Sequence, residues 1–124
     1  MARAASWIAA ITVPASAAAR RSHYVKVRDR ASFEFAVVSA AVAIEMNGVR
    51  IQQARIAIGG VGTKPWRVPR VENALVGASL DPATLRKAAA LASDGARGRG
   101  HNDFKIELMQ RAIVRAVEMA GDRV

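Results

Sequence analysis

The sequence predicts an α+β domain: an antiparallel sheet of three to four strands, followed by three helices packed on it. Three observations carry that expectation. Two apolar runs, Ala31 to Glu45 and Val49 to Gly60, flank an Asn47-Gly48 pair, a strong short-range signal for a β-hairpin. Three later stretches each combine a helix start with a glycine stop. All the strand-like runs precede all the helix-like ones, the order expected of α+β rather than of alternating α/β folds.

Taken in order, Trp7 to Val13 is expected to form a first strand, ended by Pro14. The same stretch imitates a signal peptide, with Arg3, a weakly apolar Ala4 to Val13 and small residues at Ala15-Ser16-Ala17. Its apolar part is mostly alanine, interrupted by Ser6 and Thr12, so the strand is preferred. Ala15 to Ser22 is expected to be a flexible link and Tyr24 to Val27 a short strand. Alternation there sets Val25 and Val27 toward the core and Tyr24 and Lys26 outward. Ala31 to Glu45 fits two patterns. Phe33, Val37, Ala40, Ala41 and Ile44 make a helical stripe, whereas Phe33, Phe35 and Val37 make one face of a strand. β-Branched and aromatic residues, and the turn that follows, favour the strand. In it Ala36 and Ala40 alternate with Ser39 and Ala41, so both faces are small enough for close packing. Val49, Ile51, Ile56 and Ile58 supply the apolar positions of the next strand.

Pro69 opens a short helix that Gly77 closes, with Leu75 and Val76 expected to face inward. Asp81 caps a second helix with Pro82 at its first position, and Leu80 and Leu85 are spaced for a hydrophobic staple. Its buried face is Leu85, Ala88, Ala89 and Ala92, and Gly95 ends it. Asn102 or Asp103 begins the longest helix, whose stripe runs from Phe104 through Leu108, Met109, Ala112, Ile113, Ala116 and Val117 to Ala120. Gly121 stops it, and Glu107 and Arg111 form an i,i+4 pair on its outer face.

Composition limits the chemistry. With 124 residues, 52% of them hydrophobic, the chain makes one domain with a packed core. The absence of cysteine excludes disulfides, thiolate metal sites and a cysteine nucleophile. A formal charge of +9 fits either an arginine-rich proteome, since the basic residues are spread along the chain, or an anionic partner. The densest cationic stretch is Arg20 to Arg30, opposed only by Asp29. No apolar run is long enough to span a bilayer as a helix.

Most motifs fail on spacing. Gly59-Gly60-Val61-Gly62-Thr63-Lys64 is not a phosphate loop, because Pro65 follows the lysine. It is expected to be a strand end with close backbone packing. Arg97-Gly98-Arg99-Gly100 is too short for an RNA-binding tract and is expected to be a mobile basic loop. His23 and His101 lack metal-ligand spacing, and no nucleophile motif or paired carboxylates are present. Trp7 and Trp66 are expected at packing edges.

Four segments, in the right order, resemble a known family. They are Tyr24-Val-Lys-Val-Arg-Asp-Arg30, Phe35-Ala-Val-Val-Ser-Ala-Ala41, Ala54-Arg-Ile-Ala-Ile-Gly-Gly60 and Lys64-Pro-Trp-Arg67. Together they are similar to the C-terminal domain of the FAD-binding (medium) subunit of molybdenum hydroxylases, the group of xanthine dehydrogenase, carbon monoxide dehydrogenase and bacterial aldehyde oxidoreductases. The resemblance runs from about Ile8 to Ala120. It implies a carbon monoxide dehydrogenase flavoprotein C-terminal domain-like fold that packs over the flavin and supports electron transfer from 2Fe–2S clusters to FAD, with an aldehyde or xanthine as substrate. It also implies two flavin contacts, which fall on Ile8, six positions before Pro14, and on Lys26.

The expected organisation is residues 1–124 as a single domain, with the upstream FAD-binding domains absent and FAD not held by this chain alone. Met1 to Ser6 departs from the family's run into the first strand, as an alternative start would. The expected partners are those FAD-binding domains, a molybdopterin-binding large subunit and a 2Fe–2S small subunit, without nucleic acid or membrane. The expected location is cytoplasmic, with the periplasm as the alternative. Two other readings compete: a stand-alone protein-interaction module, and a basic nucleic-acid-binding domain.

Overall fold

Alternation in the hairpin sets the architecture. The computed structural model describes residues 7–122. Strand β1 (Ser22–Val27) leads to β2 (Val38–Asn47) and β3 (Arg50–Gly59), with a short edge strand β4 (Trp66–Arg67). All neighbours are antiparallel and lie in chain order across the sheet. Val38, Ala40, Val42 and Ile44 of β2 and Ile51, Ala54, Ile56 and Ile58 of β3 are buried on one face. Ile51 and Ala54 are three residues apart, which strict alternation would send to opposite faces. A register shift between Glu45 and Met46 skips Gln52 and returns both to the core.

The hairpin turn sits one residue later than Asn47-Gly48. Asn47 still pairs with Arg50, and the two-residue loop is Gly48-Val49. Gly48 has φ of 60° while Val49 is not left-handed, the pattern of a type II′ turn with glycine first. Val49 is accordingly exposed rather than an inward strand position.

Three helices cover the inner face: α1 (Pro69–Leu75), α2 (Pro82–Ala90) and α3 (Phe104–Gly121). The Asp81 side chain accepts from Thr84 N, as expected of a cap. α3 lies over β1 and β2, α1 over β3, and α2 rests on α1 and α3. Leu85, Ala88 and Ala89 are buried, with Ala92 against the core edge. Many of these contacts are alanine. Small side chains let helix and sheet backbones approach closely, which compensates for the scarcity of large aromatics.

Several local expectations give way to packing. Trp7 to Val13 forms no strand: the segment is unpaired, and Trp7, Ile8, Ile11 and Val13 are all at least 80% exposed. No sheet edge among the described residues meets it. Met1 to Ser6 lies outside the described residues. The expected link after Pro14 contains a 3₁₀ turn, Ala17–Arg21, because Ala18 is buried and Arg21 Nη1 donates to Gly121 O at 2.9 Å. Residues 31–37 precede β2 instead of extending it, leaving Phe33 and Phe35 exposed. Val76 and Phe104 also face solvent, whereas Leu75 is buried as expected. Asn102 spends its side chain on Arg99 N and does not cap α3.

The β4 side of the sheet is closed by one carboxylate. β4 pairs with Ala57 and Ile58 only, so the N–H of Ile56 at that edge needs another acceptor. Glu72 Oε1 from α1 takes it at 2.8 Å, and both carboxylate oxygens accept from Arg67 at 2.7 Å in a two-pronged ion pair. Burial pushes the Glu72 carboxyl up. The bonds from Arg67 and Ile56, with the charges of Arg67 and Arg55, outweigh it and hold the group below its ordinary value.

Two predictions follow from these contacts. Glu72→Ala should cost about 1–3 kcal/mol in urea unfolding, since Ile56 N–H loses its acceptor while half-exposed Arg67 regains water. A depressed carboxyl stabilises the fold above its unfolded value of about 4.3 and loses that contribution as pH falls through the lower folded value. The stability gap between wild type and Glu72→Gln should therefore be full near neutrality and close on acidification below about pH 4. Gly60→Ala should destabilise more than Gly48→Ala. Both glycines have positive φ, but a Cβ at Gly60 would meet Val37 O at 2.6 Å, while at Gly48 it would meet nothing within 4 Å. Thermal melts of the two variants test the difference.

Candidate functional site

Among the described residues, no α-helix packs on the second face of the sheet. Register places Tyr24, Ala41, Ala57 and Arg67 in one row across the four strands. Ser22, Ala43 and Arg55 form a row on one side of it, and Lys26, Ser39 and Gly59 a row on the other. The middle of this face is thus made of alanine, serine and glycine, with larger side chains only toward its rims. A groove of about 620 Å³ lies over the first two of these rows, lined by Ser22, Tyr24, Ala41, Ala43, Ala57, Arg55 and Arg67; in the third row Ser39 is buried.

The floor is shallow because β2 and β3 carry small residues at every outward position from 39 to 43 and at 57 and 59. Such a surface lets a flat group approach the backbone closely. Gly59 belongs to it for a steric reason: a Cβ there would lie 2.5 Å from Ser39 Oγ. The rims are cationic. Lys26 stands on the β1 side, with Nζ 6.0 Å from the centroid of the Phe33 ring, the outer limit of a cation–π contact worth about 0.5–1 kcal/mol when exposed. Arg55 and Arg67 stand on the β3 and β4 side. Arg67 is held by Glu72, whereas Arg55 makes no ion pair among the described residues.

A second cleft of about 260 Å³ lies between Val61, Trp66, Arg97, Asn102, Lys105 and Met109. Lys105 Nζ donates across it to Gly60 O at 3.0 Å, tying α3 to the strand end. The glycine run behaves as close packing: Gly62 lies against the half-exposed ring of Trp66. Among the described residues there is no group of three potential metal ligands, and no helix is long and apolar enough to cross a membrane.

Lys26 therefore occupies the outward position that alternation predicts, beside Tyr24. Ile8 does not join it in the sheet: it lies in the unpaired N-terminal segment, 83% exposed. Arg55 and Arg67 escaped the sequence reading. Period-two alternation opposite Ile56 is the signal that could have found Arg55. Arg67 lies on a strand of two residues, too short to carry a pattern.

Comparison with known proteins matches residues 22–120 to the CO dehydrogenase flavoprotein C-terminal domain. The chain belongs to that family. The match begins at the first residue of β1 and ends inside α3, so it takes in the whole sheet, α1, α2 and all of α3 except Gly121. The aldehyde oxidoreductase FAD-binding subunit PaoB of Escherichia coli (strain K12) is 35% identical over 110 residues, covering 86% of this chain and 30% of that protein. The carbon monoxide dehydrogenase medium chain of Afipia carboxidovorans is 29% identical over 120 residues, 94% of this chain and 41% of that one. Among solved structures, quinoline 2-oxidoreductase from Pseudomonas putida 86 superposes with a TM-score of 0.75 at 28% identity, over 82% of this chain and 36% of that one. The Cu,Mo-CO dehydrogenase superposes with a TM-score of 0.73 at 31% identity, over 83% and 37%. This flavoprotein C-terminal domain thus spans roughly a third of the length of the proteins it matches.

If the open face is a docking surface and not part of the core, enlarging its floor leaves the domain folded. Ala41→Trp should keep the wild-type urea midpoint within about 0.5 kcal/mol of stability. The inward neighbour Ala40→Trp should unfold the domain, since that position is fully buried.

Proposed function

We propose that this chain acts as the C-terminal domain of an FAD-binding subunit in a molybdenum hydroxylase-type oxidoreductase, where its open sheet face packs over the flavin. The small-residue floor flanked by Lys26 is the observation that carries the reading. A flat ring system needs a surface without projecting side chains, and an electron-accepting ring gains from a nearby cation. The relatives support it, being named as an FAD-binding subunit and a medium chain.

The residues fit FAD in that role. Ala41, Ala43 and Ala57 would form the floor and Tyr24 the wall on the β1 side, with Lys26 one row beyond. When bound, the flavin supplies the capacity to take up and pass on electrons; this chain's residues shield and tune it. Lys26 would favour added negative charge beside it by ~1–3 kcal/mol at a partly screened site. Arg55 and Arg67 would keep the opposite rim positive. Ile8 would reach the ring only if its segment is ordered by a further domain, since nothing among the described residues pairs with it. A shallow, one-sided groove cannot by itself enclose a cofactor, so FAD affinity must come mainly from flavin-binding domains outside this chain. In the intact enzyme, electrons would arrive through a 2Fe–2S subunit from a molybdopterin-binding subunit that oxidises an aldehyde or related substrate. A cytoplasmic location goes with this reading.

A chimera tests it. Replacing the matching 110-residue stretch of the E. coli subunit with this chain should give a protein that retains FAD. Ala41→Trp in the chimera should lower FAD occupancy, and Lys26→Ala should lower the flavin midpoint potential without changing the melting temperature. Lys26→Arg should restore the potential only in part, since its planar head approaches differently. Unchanged occupancy and potential in all three variants would sink the proposal. The isolated chain should be folded and colourless; stoichiometric flavin absorbance would contradict the expected division of labour.

A further inference from the structure

We propose that the loop from Arg28 to Val37, between β1 and β2, is a preformed docking knob for another protein surface, one with an apolar recess rimmed by carboxylates. The inference rests on the reading above for the identity of the partner, another subunit of the same enzyme. Its own observation is separate: Phe33 and Phe35 are 91% and 92% exposed. Two of the chain's three phenylalanines thus stand in solvent on one short loop, although their spacing suits a buried strand face.

The loop is held in shape. Val37 N donates to Val27 O at 2.9 Å and closes its base. Arg28 Nη1 donates to Ser32 O at 3.1 Å, and Arg30 Nη2 to Phe33 O at 3.2 Å. Lys26 Nζ stands over the Phe33 ring. Ordering the aromatic side chains on binding therefore costs less than it would in an unstructured loop, the general advantage of preorganisation.

Charge selects the occupant. None of Lys26, Arg28 and Arg30 makes an ion pair among the described residues. Each arginine uses one nitrogen on a loop carbonyl, leaving further N–H groups of its guanidinium for an acceptor outside the loop. Arginines beside exposed aromatic rings are the composition of interface hot spots, and unspent cations call for carboxylates opposite. A second copy of this chain would bring the same cations face to face and is disfavoured. Single-stranded nucleic acid also combines rings with anions. Here the Lys26 ammonium already sits at one face of Phe33, where a base would have to stack.

The test is direct binding. The probe is E. coli aldehyde oxidoreductase purified without its FAD-binding subunit, and the full 124-residue chain is titrated onto it without added FAD. Binding is expected, weakening as salt is raised. Phe33→Ser/Phe35→Ser and Arg28→Glu/Arg30→Glu should each weaken it at least tenfold while circular dichroism stays unchanged. Lack of binding by the wild-type chain, or equal binding by both double variants, would overturn the proposal. So would tighter binding to a single-stranded oligonucleotide than to the probe, or dimerisation of the chain that the Phe33→Ser/Phe35→Ser variant abolishes. Because no flavin is present, these outcomes are read independently of FAD occupancy in the chimera.

Discussion

Because successive side chains of a strand point to opposite faces, Val38, Ala40, Val42 and Ile44 can meet the helices only if Ser39, Ala41 and Ala43 face away from them. That constraint shapes the whole domain. The inward set is large enough, with Ile56 and Ile58 beside it, to bury α1 and α3. The outward set is so small that it leaves a shallow floor at Ala41 and Ala43, on which no α-helix among the described residues packs. A single shift at Gln52 preserves the arrangement across the hairpin, since without it Ile51 would be turned out of the core. Core and open face are two consequences of one alternation.

The sheet's edge near β4 is governed by electrostatics. Glu72 sits in a mostly apolar layer, where an isolated carboxylate would be costly. It is acceptable there because three N–H groups converge on it, from Ile56 and from the two prongs of Arg67. The same contact anchors α1, ends the ladder beyond a two-residue strand, and fixes Arg67 at the rim of the open face. One ion pair thus both closes the sheet edge and orients Arg67 at the open face.

The open face and the β1–β2 loop differ in what they offer a partner. The face is flat, small-featured and cationic at its rims, which suits a planar, electron-accepting ring. The loop projects, with two phenyl rings among arginines, and suits a recess. Lys26 lies where the two meet. The domain covers about a third of the length of the relatives it matches, and among the described residues no α-helix packs on its second sheet face.

Much of the fold was legible in the chain. The stops at Gly77 and Gly121, the Asp81-Pro82 helix start and the hairpin all depend on neighbouring residues, and each lies where local pattern puts it or within a residue of it; α2 instead ends at Ala90 and gives way to a 3₁₀ turn, Leu91–Ser93, before Gly95. The outward aim of Lys26 follows from alternation in the same way, and the family from four short segments in order. Phe33, Phe35 and the Trp7 to Val13 segment were misjudged because apolar periodicity says only that a side chain would gain from burial, not that anything stands opposite to bury it. What the sequence by itself determined was the order and type of the elements. Which face the helices cover, the capture of Ile56 and Arg67 by Glu72, and the exposure of the β1–β2 loop were decided by the tertiary structure. Each depends on groups that come together only when distant segments pack.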